Sequence, residues 1–194
     1  MEHPDVGALQ LAIWGRAFAA LELAAARRYE PAIAALRVLL AKDPAMTEVR
    51  LKLAETLSDA GRDREAAEAY ADVIARMPML PGDILLAAGY AHLRLGELDR
   101  AAQLADQAAI DTPLKARELR ARVFTARKRF DEAEAEARAA VDPSNPQPAS
   151  MLVLVEVLRA KGDHVGALAA IDRAAQRAAE IGSGSVFRLE FLRG

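Results

Sequence analysis

The chain has 194 residues, 53% of them hydrophobic but only 5% aromatic, a formal net charge of −2 and no cysteine. Its apolar content is therefore mainly Ala, Leu and Val, which favour or tolerate helices and let backbones approach closely. Disulfides, thiolate nucleophiles and Cys-ligated metals are excluded, and the charge gives no global electrostatic case for nucleic acid or an anionic membrane.

The first predicted helix starts near Pro4 or Asp5, where proline and an acid suit a helix start, and runs to about Ala26. No basic region precedes it, and Arg16 and Glu22 interrupt its apolar run, so neither a signal peptide nor a membrane span is expected. A cytoplasmic location is the expectation.

From Arg27 onward one phrase recurs: a Gly or basic break followed by an Ala-rich helix. It reads RRYEPAIAAL from Arg27, GRDREAAEAY from Gly61, GELDRAAQLA from Gly96, KRFDEAEAEA from Lys128 and GDHVGALAAI from Gly162. The alanines in register are Ala32, Ala66, Ala101, Ala133 and Ala167, spaced 34, 35, 32 and 34 residues apart. A period of about 34 residues built from two helices is the mark of a helical repeat array, in which each unit buries its apolar face on its neighbours.

Further first helices are predicted over 47–60, 83–95, 115–127 and 148–161, and second helices over 31–42, 64–76, 98–110, 131–141 and 165–181. Pro44, Pro78, Pro113 and Pro146 fall where a second helix is expected to stop, because proline cannot continue a helix. The units fall at about 13–46, 47–80, 82–115, 114–147 and 148–181, the fourth shortened by the early Pro143. After the flexible Gly182-Ser183-Gly184-Ser185 break, residues 186–194 read as a terminal capping helix or the start of a truncated sixth unit, and as a route to homo-oligomers.

Unit 47–80 carries Leu53, Ala54 and Leu57 in a large-small-large pattern, then Gly61 at the turn and Ala66, Tyr70, Val73 and Pro78 after it. In this it resembles the tetratricopeptide repeat family. Unit 82–115 matches through Leu85, Ala88, Gly89, Gly96, Ala101, Ala108 and Pro113, and unit 148–181 through Met151, Leu154, Leu158, Gly162, Ala167, Ile171 and Ala174. Two units depart from the pattern: Arg27 replaces the turn glycine of the first, and Arg117 and Arg120 replace apolar residues in the fourth. The resemblance implies an all-α, right-handed superhelical solenoid of about five helix-turn-helix units plus a terminal helix. It also implies a non-catalytic scaffold that binds protein partners. The alternative is a regulatory or substrate-recruiting arm of a larger enzyme whose catalytic domain lies outside this chain.

No catalytic, cofactor or metal constellation stands out. His3, His92 and His164 have no Cys or carboxylate pair at ligand spacing, and the acidic run Asp131, Glu132, Glu134 and Glu136 fits a solvated helix face. Lys115, Arg117, Arg120, Arg122, Arg127, Lys128 and Arg129 surround a single acid, Glu118. Without a positive domain around it, neutralisation within the chain is expected over nucleic-acid binding.

In the family the groove is lined by fixed positions of each first helix. Carried over, these include Trp14, Leu21, Asp83, Lys115 and Glu118. They also give a partner-binding set of Leu51, Glu55, Leu86, Tyr90, Arg94, Arg122, Leu152, Glu156 and Arg159. Chaperone-binding members clamp a terminal carboxylate with Lys and Asn at two of these positions. Here those positions hold Leu51 and Glu55, or Leu86 and Tyr90, so that clamp is absent. The remaining strip of Leu51, Leu86, Tyr90 and Leu152, bordered by charges, suits an amphipathic helix or extended peptide. Leu86 and Tyr90 are expected to be exposed on it.

Overall fold

The computed structural model describes residues 6–77, 79–141 and 147–180. Ten α-helices and no strand occur among them: α1 Val6–Ala25, α2 Tyr29–Lys42, α3 Thr47–Asp59, α4 Asp63–Arg76, α5 Gly82–Arg94, α6 Leu98–Ala108, α7 Pro113–Ala126, α8 Phe130–Ala139, α9 Pro148–Lys161 and α10 His164–Glu180. Each odd-numbered helix lies within two residues of its expected limits. The expected element at 186–194, and Pro78, Pro143 and Pro146, lie outside the described residues, as does the side chain of Trp14.

The turns show why pairs form at this period. Gly61, Gly96 and Gly162 have φ of 73°, 77° and 89°, and Arg27 and Lys128 join them at 56° and 60°. All five close the same hydrogen-bonded cap. The N–H of the left-handed residue bonds back three residues, as Gly61 does to the Ser58 carbonyl at 3.1 Å, and the next N–H bonds back five, as Arg62 does to Leu57 at 2.9 Å. That double closure satisfies the end of the preceding helix and aims the chain directly into the next one. No side-chain cap hydrogen bond occurs at the start of any helix from α2 to α9. Five residues after each turn comes the register alanine, and Ala32, Ala66, Ala101, Ala133 and Ala167 are all buried.

Prolines play a different part from the one expected at one position. Pro113 does not end a second helix. It is the first residue of α7, because α6 already stops at Ala108 and proline is well suited to the first helical position, where the backbone N–H has no partner anyway. Pro148 opens α9 in the same way.

The chain forms two compact units, Met1–Leu80 and Pro81–Gly194. In the first, α1 packs on α2 and α3, α2 on α3, and α3 on α4. Its core holds Ile33, Leu36, Leu39, Leu57, Tyr70 and Val73. Arg62 joins Glu30 and Glu65 across it, and Arg37 reaches Glu65 at 2.5 Å.

In the second unit each helix packs on the next, from α5 to α10. The odd-numbered helices also meet directly, α5 on α7 and α7 on α9. Close approach is enforced at Gly89, where an added Cβ would stand 2.5 Å from Leu119 Cδ2. Leu104, Leu119, Val123, Leu158 and Ile171 are fully buried in this unit.

Candidate functional site

The direct packing of α5, α7 and α9 places one face of each along a common groove in the second unit. A cavity of about 620 Å³ opens there. From α5 come Asp83, Leu86, Ala87 and Tyr90; from α7 come Leu114, Lys115 and Glu118; Gln147, Ala149 and Ser150 complete it from the start of α9. Its size falls within the range of small-ligand pockets, and its wall is mainly apolar with a few polar groups.

Contacts between neighbouring odd-numbered helices wire this face. Residues 32 apart meet in three pairs: Lys115 Nζ donates to Asp83 at 2.7 Å, Ser150 Oγ donates to Glu118 at 2.6 Å, and Arg122 donates to the Tyr90 hydroxyl at 3.1 Å. Arg122 also holds Glu156 with two nitrogens at 3.0 and 3.3 Å, and its guanidinium carbon lies 5.6 Å from the Tyr90 ring centre. Burial pushes the Tyr90 hydroxyl above its ordinary pKa despite the neighbouring Arg122 charge. For Arg122, burial favours loss of the proton, but the bond to Glu156 and the contact with Tyr90 outweigh it and hold the guanidinium above its ordinary value. Tyr90 is therefore a neutral, half-buried ring fixed by a permanent cation.

The expected groove residues divide accordingly. Leu86 and Tyr90 line the cavity, and Arg122 and Glu156 brace Tyr90 beside it. Leu86 is not exposed as expected, being only 4% accessible, because α5 turns this position into the packed interior and leaves only an edge at the cavity floor. Tyr90 is half-buried where exposure was expected, since Arg122 lies over its ring. Leu152 is half-buried against the core that includes Val153 and Leu158, while Arg94 and Arg159 are exposed at the ends of α5 and α9. Leu51 and Glu55 belong to α3 in the first unit, where Leu51 is half-buried and Glu55 pairs with Lys52 at 2.6 Å.

Sequence reasoning missed Ala87, Leu114, Gln147, Ala149 and Ser150. Leu114 was hidden by reading Pro113 as a stop. Ser150, which bonds Glu118, carried no such signal, because it is not one of the first-helix positions taken from the family.

Six of the seven cations in the basic stretch, all but Lys128, pair with acids within the chain, which is most of the expected neutralisation. Besides the Lys115 and Arg122 pairs, Arg117 meets Glu136 at 3.2 Å, Arg120 meets Asp106 at 2.9 Å, and Arg127 and Arg129 bond Asp99 and Glu132. Arg120 Nε also lies 3.5 Å from Glu136 but without hydrogen-bond geometry. Arg117 and Arg120 thus replace apolar residues without unpaired charge. Among the described residues no group of three or more His or acidic side chains could hold a metal, and no helix is long and apolar enough to cross a membrane.

Two models of the tetratricopeptide repeat match, one over residues 23–81 and the other over 86–148. The fold is similar to that of PilW, described as a widely conserved type IV pilus biogenesis factor, at 19% identity and a TM-score of 0.72 over 92% of this chain and 90% of that one. A thermophilic protein of the same repeat type from Thermus thermophilus is 22% identical with a TM-score of 0.68, covering 86% of this chain and 92% of that one. MamA is 18% identical with a TM-score of 0.66 over 83% and 95%. No curated protein matches the sequence.

Proposed function

We propose that this chain, which belongs to the tetratricopeptide repeat family, is a non-catalytic scaffold that holds a peptide or helix of a protein partner in the groove of its second unit. Members of the family are in general protein-interaction scaffolds. The observation that carries the reading here is the roughly 620 Å³ cavity against Tyr90, framed by side chains of α5, α7 and α9.

A rigid aromatic held by Arg122 offers large contact area at little entropic cost, since its rotamer is already fixed. Leu114, 40% exposed at the rim, supplies an adjacent apolar contact. An amphipathic helix or extended strand would set an apolar side chain between them.

Capture from native lysate by the wild type and by a Tyr90→Ala/Leu114→Ala variant tests this. These two positions are chosen because they are not fully buried, whereas Leu86→Ala would confuse binding with core damage. Proteins held by the wild type and lost by a variant of unchanged helicity support the groove. Identical captures by both proteins would rule it out.

A further inference from the structure

The charges around the cavity do not balance, and the imbalance bears on what the groove accepts. Two carboxylates, Asp83 and Glu118, face one ammonium, Lys115, in its wall. Lys115 is committed to Asp83 at 2.7 Å and also feels the Glu118 charge. The other nearby cation, Arg122, is taken by Glu156 and Tyr90. Glu118 receives the Ser150 hydroxyl at 2.6 Å, and among the described residues no ion pair joins it to Lys or Arg. A half-buried carboxylate carrying only a neutral donor keeps lone pairs available for a cation. The start of α7 does not cancel this, because its field fades within the first turn and Glu118 lies in the second. Glu118 does meet the first turn of α9 through Ser150, but a helix start carries only about half an elementary charge and leaves a full carboxylate net negative.

Much of the remaining wall is aliphatic: Leu86, Ala87, Leu114 and Ala149. We infer that the groove takes a partner segment in which a Lys or Arg side chain stands beside an aliphatic one, the cation meeting Glu118 and the aliphatic group resting between Leu114 and Tyr90. This rests on the groove reading above and goes beyond it by fixing the chemistry of the partner. It is the reverse of the acidic-peptide recognition that the basic stretch of α7 would suggest by itself.

The test is selection of a phage-displayed random peptide library on the full chain, followed by binding measurements on synthesised winners. Winners should be enriched in Lys or Arg next to Leu, Ile or Val. Glu118→Gln, which keeps the shape and an acceptor for Ser150, should weaken them about tenfold, as expected for the loss of one charge-assisted contact. Selection on Glu118→Lys should shift the winners towards acidic peptides. Circular dichroism checks that each variant is folded. Winners that depend on Tyr90 but are neutral or acidic, or are indifferent to Glu118→Gln, would overturn the charge inference and leave the groove standing. Winners indifferent to Tyr90→Ala, or no winners at all, would overturn both.

Discussion

Arg27 and Lys128 hold the same left-handed backbone position, at φ of 56° and 60°, that glycine holds in the other three turns. An L-residue with a Cβ pays about 1–2 kcal/mol there, while a glycine in its place raises the unfolded chain's entropy at a cost of about 0.4–1 kcal/mol. The first effect is larger. Arg27→Gly and Lys128→Gly should each stabilise the protein by about 0.5–1 kcal/mol, read as a higher midpoint in urea. Gly61→Ala should do the opposite, since nothing crowds its Cβ and only the backbone strain would change. Lower midpoints for both glycine variants would mean that these turns are not held as described.

Close approach between helices gives a second expectation. Ala66 is fully buried in α4, so Ala66→Leu should overpack the site and cost about 1–3 kcal/mol. Gly89 and Gly15 make the sharper contrast, because both lie inside helices. Alanine at Gly15 meets no atom within 4 Å and should gain about 0.5–1 kcal/mol of helix propensity. Alanine at Gly89 meets Leu119 Cδ2 at 2.5 Å in a fully buried side chain and should lower the thermal midpoint instead. Equal shifts in the two melts would contradict the packing of α5 on α7.

The fold was largely legible because its information is local and repeated. The register alanines and turn glycines sit at fixed offsets, and Arg27 and Lys128 could be placed from the period even though their residue types point away from a left-handed turn. The site was only partly legible. Tyr90 and Arg122 were found from their positions in the repeat, but helix position alone did not reveal that Leu86 faces the interior. That depends on how deeply α5 seats against its neighbours, a property of side chains far apart in sequence. Pro113 misled for a physical reason: proline is compatible with both the end of one helix and the start of the next, and where α6 ends decides between them.

Acid should act through Glu134. Hydrogen bonds from Lys161 and then Arg138 hold its carboxyl below the usual carboxylate range. A carboxylate whose folded pKa is depressed contributes stability that is complete above its unfolded value and lost as the pH falls through the folded one. Urea unfolding at pH 7 and at about pH 3, below the ordinary Glu value of about 4.3, should show a smaller acid loss for Glu134→Gln than for the wild type. An unchanged difference would exclude the link between α8 and Lys161 of α9 as a source of acid sensitivity.

The coupling of Tyr90 to Arg122 can be measured apart from any ligand. Arg122 touches Tyr90 twice, through the 3.1 Å hydrogen bond to its hydroxyl and through the ring face at 5.6 Å, while a separate pair of bonds goes to Glu156. Tyr90→Phe removes only the first contact, and Arg122→Gln weakens all of them. If the hydroxyl bond helps to fix the ring, the two changes cannot be independent. The double variant should be less destabilised than the sum of the single variants by about 0.5–1 kcal/mol, the size of one net hydrogen bond in a part-buried site. Tyr90→Phe should also weaken capture of a partner less than Tyr90→Ala, because the ring that fills the groove remains. Strict additivity in denaturant unfolding would mean that Arg122 serves Glu156 alone and that Tyr90 is not preorganised.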